Sequence, residues 1–297
     1  MDDRERKRVA GDFGNPFMTG PPPLMVEARR VLLDTLDALA EHRASLVLVG
    51  AQAVYLRTDE IALSFSASYT TDADLAIDPA TLADTPLLAE LMTAAGFTLT
   101  EPDRPGIWGK SIVIDGHDEA ISADLIVPGA LAGSGRRGAR LASHGKNAAG
   151  RADGLEAAVV ERSPMTITAL DPTDERAITV NVAGPTALLV AKLHKIGERT
   201  TQAKARPDRV IAKDAGDCYR LMLHLGADAA IDRIESLLEH PTAGPATRTA
   251  LGYLQTLFRA PAATGVQLAV QALSSDLPAD RVEAVCVGFT QAVLENM

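Results

Sequence analysis

A chain of 297 residues, 46% hydrophobic and 23% charged, is long enough to bury a sizeable core in one large domain or two ordinary ones. Its net charge of -10 argues against a protein that coats nucleic acid by bulk electrostatics, so any RNA contact needs a local basic patch. Two cysteines, Cys218 and Cys286, supply neither a disulfide framework nor a C-x-x-C pair for zinc, and both read as small buried hydrophobes.

Residues 1 to about 22 form a charged, proline-rich tail closed by Pro21, Pro22 and Pro23. Neither an apolar signal segment nor a membrane-length apolar run is present, so the expectation is a cytoplasmic protein with no membrane partner. From Leu24 to about His42, apolar residues recur at helical spacing. Leu46 to Val49 reads as a short strand, Gly50 as a turn and Ala51 as the start of a short helix. After a loop comes a strand bearing Asp72 and Asp74, and residues two apart on a strand point to one face. Two carboxylates held that close repel unless a cation lies between them. Mg²⁺ suits them, because it takes oxygen ligands and is usually held by one or two carboxylates plus substrate phosphates. The plainer alternative is a strand end carrying two solvated aspartates.

A helix is expected over about Pro86 to Ala95, then strands at 97 to 100, Trp108 to Ile114 and Ala120 to Val127. In the last of these Asp124 interrupts an apolar run, and a charge there is costly unless compensated. A metal shared with Asp72 and Asp74 would compensate it; a strand-edge aspartate facing water is the alternative. Residues 129 to 154 hold seven glycines and the cations Arg136, Arg137, Arg140, Lys146 and Arg151, which reads as a flexible basic loop able to meet phosphates or simply to lie on the surface. The G-x-G-x-x-G at Gly133, Gly135 and Gly138 lacks the long apolar helix that a dinucleotide site requires. Pro164 to Leu170 and Ala177 to Ala183 read as a hairpin through the turn residues 171 to 174. Only helices are expected after Gly184, at 185–200, 208–225, 228–239, 245–259, 263–273 and 279–295.

Two of these helices carry further candidates. Lys192 and Arg199 are seven apart and share a face beside the apolar stripe of Leu189, Leu193 and Ile196, while Lys213, Asp214 and Asp217 fall within one helical turn. A solvated helix face, and N-terminal charges favoured by the helix dipole, are the plainer readings.

Gly50, Ala51, Thr70, Asp72 and Asp74 resemble the glycine-then-D-x-D signature of the nucleotidyltransferase superfamily. The spacing of Lys192 and Arg199, followed by Asp214 and Asp217, is similar to the K-x-x-A-x-x-x-R and D-x-x-D patterns of its AbiEii and MenT toxin-like branch, with Lys195 in place of the alanine. The resemblance covers roughly residues 45 to 222. It implies an α/β fold with a nucleotidyltransferase-like mixed sheet and flanking helices, while the change to helices alone after Gly184 divides the chain into an α/β domain over 23–183 and a helical C-terminal domain over 184–297, whose last helices the resemblance leaves unexplained. It also implies Mg²⁺ held by Asp72, Asp74 and Asp124, and a nucleoside triphosphate met by Gly50, Ala51, Thr70, Lys192 and Arg199. Asp214 would position Lys192 or take the acceptor proton, and Asp217 would fix its helix. The acceptor would be RNA, such as a tRNA end, or protein, and a toxin would have an antitoxin partner. A degenerate member that binds nucleotide or a partner without chemistry is the alternative. Where the family often carries Arg four residues before the first aspartate this chain has Ser68, with Arg57 as the candidate substitute.

Overall fold

The computed structural model describes residues 21–58, 72–101, 104–114, 116–135, 137–202 and 211–297. Thr70 and Ser68 lie outside the described residues. Among the described residues the chain is mixed α/β, with an eight-stranded sheet followed by helices alone.

The first helix, α1 (Pro23–Ala38), starts on proline, which suits a first turn where its missing N–H costs nothing. It ends earlier than its apolar pattern suggests: Ala40–Ser45 tightens into a 3₁₀ turn, and Arg43 Nη2 donates back to Leu36 O at 3.2 Å. Val31, Leu32 and Leu36 are fully buried on its inner face. Strand β1 (Leu46–Leu48) is buried throughout. The chain then turns at Gly50 into α2 (Gly50–Arg57) and returns as β2 (Asp72–Ile77).

Helix α3 (Leu88–Ala94) is followed by β3 (Thr98–Leu99), β4 (Ile107–Ile114) and β5 (His117–Pro128). Three short or late strands complete the sheet: β6 (Gly150–Ala152), β7 (Arg162–Thr168) and β8 (Ala177–Ala183). The order is β3-β4-β5-β2-β1-β8-β7, with β6 paired to β5. β2 runs parallel to β5 and β1 parallel to β8, whereas β1–β2, β3–β4, β4–β5 and β7–β8 are antiparallel. The β7–β8 hairpin therefore extends the sheet on the β1 side, as its sequence implies.

The glycine-rich segment departs from the expectation of a flexible loop. Ala139, Leu141, Ala148 and Ala149 are buried, and Trp108 Nε1 donates to Ala148 O at 3.1 Å. Arg151 donates to the carbonyls of Gly133 (3.1 Å), Gly135 (2.6 Å) and Gly129 (2.9 Å), so its guanidinium folds the segment rather than awaiting phosphate. Among the described residues the next element after Gly133, Gly135 and Gly138 is a strand, β6, and not a helix; Gly138 bridges to Gly150.

Six helices follow among the described residues: α4 (Pro185–Thr201), α5 (Ala212–Leu225), α6 (Ala227–Glu239), α7 (Gly244–Phe258), α8 (Thr264–Leu273) and α9 (Ala279–Glu295). Helices α4 and α5 pack against each other and against α2, which carries them to the sheet. Cys218 and Cys286 are buried as expected, and burial pushes the Cys286 thiol up to about 12, leaving it inert. No described helix is long and apolar enough to cross a membrane.

Candidate functional site

Asp72 and Asp74 occupy alternate positions of β2 and so share a face. Their neighbour β5 is parallel and in register: Asp74 pairs with Asp124 and Asp72 with Ser122. In-register residues of adjacent strands project to the same side, so three carboxylates belong to one face of the sheet. Ser122 Oγ donates to Asp72 Oδ1 at 3.0 Å, while Gln52 Nε2 donates to the Asp72 carbonyl at 3.3 Å. Gln52 Oε1 in turn accepts from Arg29 Nε at 3.1 Å, which ties α1 and α2 to the start of β2.

The turn at Gly50 closes over Asp74. Gly50 has φ +69, and a Cβ added there would overlap the Asp74 carboxylate. Val49 N donates to Asp74 O at 2.9 Å, fixing this approach. No side chain caps the N-terminus of α2, so its first amides remain suited to an anion beside the carboxylates. We expect Gly50→Ala to lose at least about 1 kcal/mol from the backbone conformation alone and also to displace Asp74. Urea unfolding would show the first effect and nucleotide-induced thermal stabilisation the second; unchanged values in both would contradict this role.

Electrostatics mark the carboxylates as short of positive charge. Burial raises the Asp74 pKa, Asp72 adds to the rise, and Lys195 and Lys192 oppose it. Asp124 is pushed up to about 7 by burial, then by Asp74 and Asp72, against a hydrogen bond from Ser122. Among the described residues its buried Oδ1 has no hydrogen-bond partner, and a cation would compensate it by coordination. Among the described residues no three His, Cys, Asp or Glu side chains are gathered into a formed metal-ligand set. Mg²⁺ does not need one, since phosphates and water complete its shell.

A carboxyl with a raised folded pKa contributes stability that is fully present below its unfolded value and lost as pH rises through its folded value. For Asp124 that window runs from about pH 4 to about pH 7. Without metal, Asp124→Asn is therefore expected to gain on wild type in melting temperature across this window, and Mg²⁺ at pH 7 to close the gap by stabilising wild type alone. A constant difference across the window would count against Asp124 as a ligand.

The cations come from the helices after the sheet. Lys192 on α4 is only 4% exposed. Its Nζ lies 2.8 Å from Asp214 Oδ1 and 2.6 Å from Asp217 Oδ2. Asp214 also meets Arg199 Nη1 at 3.0 Å through Oδ2 and Lys195 Nζ at 3.3 Å through Oδ1. Burial alone would lower the Lys192 pKa, but Asp217 and Asp214 outweigh it and hold the ammonium charged. Burial alone would raise Asp214; Lys192, Lys195 and Arg199 reverse that and hold it well below the ordinary carboxylate range. A carboxylate held so firmly ionised positions its cations and is a poor proton acceptor.

Sequence spacing brings out Lys192 and Arg199, and the structure joins both to Asp214. The residue it adds is Lys195. Its side chain is 42% exposed, and it exerts the strongest opposing pull on Asp74. Its position three residues after Lys192, on the same helix face, was the available signal. Lys213 joins the site as well: its ammonium lies over the Tyr55 ring at 6.0 Å and interacts electrostatically with Asp72. Arg57, the candidate substitute for an arginine before Asp72, is held away from Gly50 and Asp74. It sits at the far end of α2 from Gly50 and donates to the carbonyls of Ala183 (3.0 Å) and Val182 (2.6 Å). His194 Nε2 lies 2.9 Å from Ala246 O, in keeping with a structural reading.

The carboxylates line neither of two other cavities. One, of about 430 Å³, has Glu198, His194 and Tyr253 in its wall. The second, of about 510 Å³, lies beside Arg57 and β7. No protein-family profile, curated protein or solved structure matches the chain.

Proposed function

We propose that the chain is a Mg²⁺-dependent nucleotidyltransferase, with a nucleotidyltransferase-like α/β core, that moves a nucleoside monophosphate from a nucleoside triphosphate to an acceptor. The observation that carries this reading is the in-register pairing of Asp74 with Asp124 beneath Gly50, supported by the pull of Lys195 against the raised Asp74 pKa. Asp72, Asp74 and Asp124 fit a hard cation: they supply oxygen donors, and one buried carboxylate oxygen lacks a partner. Bound Mg²⁺ would neutralise charge on the attacking and leaving oxygens.

The protein's own groups do the rest by position. The first amides of α2, at Gly50 and Ala51, receive a phosphate. Lys195 supplies an open positive charge to the outer phosphates. Lys192 stays enclosed and, with Arg199, fixes Asp214, so that α4 and α5 present a rigid cationic face. Such transfer rests mainly on orientation and charge stabilisation, and needs no activated side-chain nucleophile.

The acceptor is RNA, with a tRNA end as one form of it, or a protein side chain. On the resemblance to the toxin-like branch, the protein acts as a toxin countered by an antitoxin. The second reading is a degenerate member that binds nucleotide without transfer, and the enclosure of Lys192 by two carboxylates favours it. Incubation with each α-labelled nucleoside triphosphate, Mg²⁺, total RNA and cell protein separates the two. Labelled RNA or protein supports the transferase; magnesium-dependent thermal stabilisation without label transfer supports the binding module.

A further inference from the structure

At the far end of α2 from Asp74, a cavity of about 510 Å³ is walled by Arg57, Arg162, Arg233, His224, Ser163 and Glu161, among others. Among the described residues three arginines and one glutamate line it, on a chain whose net charge is -10. The carboxylate is already committed. Glu161 Oε2 accepts from Ala187 N at 2.6 Å in the first turn of α4, and Oε1 meets Arg233 Nη1 at 3.0 Å. A Cβ at Gly184 would strike the Glu161 side chain, so the backbone also holds it in place.

Among the described residues Arg57 is anchored by neutral groups. Its Nε and Nη2 donate to the Ala183 and Val182 carbonyls, and Nη2 also reaches Ser163 Oγ at 2.8 Å. These partners are neutral. Burial pushes the Arg57 guanidinium down from its ordinary value, Glu161 opposes this, and Arg233 adds to it. Among the described residues Arg162 pairs with Asp78 at 2.9 Å, and its Nη1 is buried without a hydrogen bond. Among the described residues Asp78 and Glu161 offset two of these three guanidiniums, which leaves the wall one positive charge in excess, on groups suited to phosphate oxygens.

We infer that this cavity is a second anion site, which holds a backbone phosphate of an RNA acceptor while the reacting end of that RNA lies at the carboxylates. The inference rests on the transferase reading and narrows its acceptor to RNA. The separation suits it: α2 carries Gly50 at Asp74 and Arg57 at the cavity, seven residues or ~10 Å apart along the helix. Phosphate contacts of this kind position a nucleic acid without reading its sequence.

The test is binding of a fluorescein-labelled single-stranded oligoribonucleotide to the full chain, at several salt concentrations, for wild type, Arg233→Glu and Arg162→Gln. Thermal stabilisation by Mg²⁺ and nucleoside triphosphate is measured alongside. Both variants are expected to lose about tenfold or more in RNA affinity, with a salt slope smaller by about one for each phosphate contact removed. Stabilisation by nucleotide, which uses other residues, stays as in wild type. Arg233 is half exposed, so its variant tests the cavity even where Arg162→Gln unfolds. Equal RNA affinity in wild type and Arg233→Glu overturns the site while leaving the transferase intact. So does transfer to protein alone, unchanged in that variant. If wild type binds no RNA the site is also overturned, and the nucleotide-induced stabilisation then decides separately whether the transferase reading stands.

Discussion

Asp74→Asn is expected to reduce nucleotide transfer by about 10³-fold or more and to abolish magnesium-dependent stabilisation by nucleoside triphosphate. Asp74 is the carboxylate on which the whole site bears: it pairs with Asp124, Gly50 packs against it, and Lys195 and Lys192 both act on it. Asparagine keeps its shape, and its neutral amide relieves repulsion against Asp72 and Asp124. The variant should therefore melt no lower than wild type in metal-free buffer. Loss of activity with retained or raised stability separates a ligand from a packing residue. A variant that unfolds more easily, or still transfers nucleotide, would show that the carboxylate is structural.

The second large effect separates two lysines of one helix. Lys192→Met leaves Asp214 and Asp217 buried without their shared ammonium, and breaking a buried pair from one side costs about 3–5 kcal/mol. For a chain of this size that corresponds to roughly 5–8 °C in melting temperature. Lys195→Met removes a partly exposed contact to Asp214 and is expected to cost within about 1 kcal/mol. It should nevertheless weaken triphosphate binding, because Lys195 is the open cation acting on Asp74. Urea unfolding and nucleotide-induced thermal shifts for the two variants decide the matter. If Lys192→Met left stability untouched, or Lys195→Met left nucleotide binding untouched, this division of labour would be wrong.

The part of the site built on strands was legible because alternation is a strict rule. Asp72 and Asp74 must share a face once β2 is recognised, and Asp124 declares itself as a charge within an apolar run. Their register was not legible: that β5 lies parallel to β2 with Asp124 beside Asp74 depends on a crossover no local pattern encodes. The helical half follows the same division. Spacing put Lys192 and Arg199 on one face, and the structure gives both the same partner, Asp214. Only the packing of α5 against α4 decides that Lys192 is enclosed while Lys195 stays open. The glycine-rich segment misled for a different reason. Composition reads as flexibility, yet a single Arg151 reaching three glycine carbonyls orders the stretch. The C-terminal helices were placed closely by periodicity, which reports burial faithfully but carries no information about chemistry.

The account stands on one convergence, of sheet carboxylates with helix cations around a metal-bound triphosphate. Isothermal titration of the full chain with a non-hydrolysable nucleoside triphosphate, with and without Mg²⁺, examines it most directly, using Asp72→Asn and Lys195→Met beside wild type. Saturable binding by wild type that requires Mg²⁺ and weakens in both variants is the predicted result. Binding that ignores Mg²⁺, or that neither substitution disturbs, would place the nucleotide elsewhere and contradict the account.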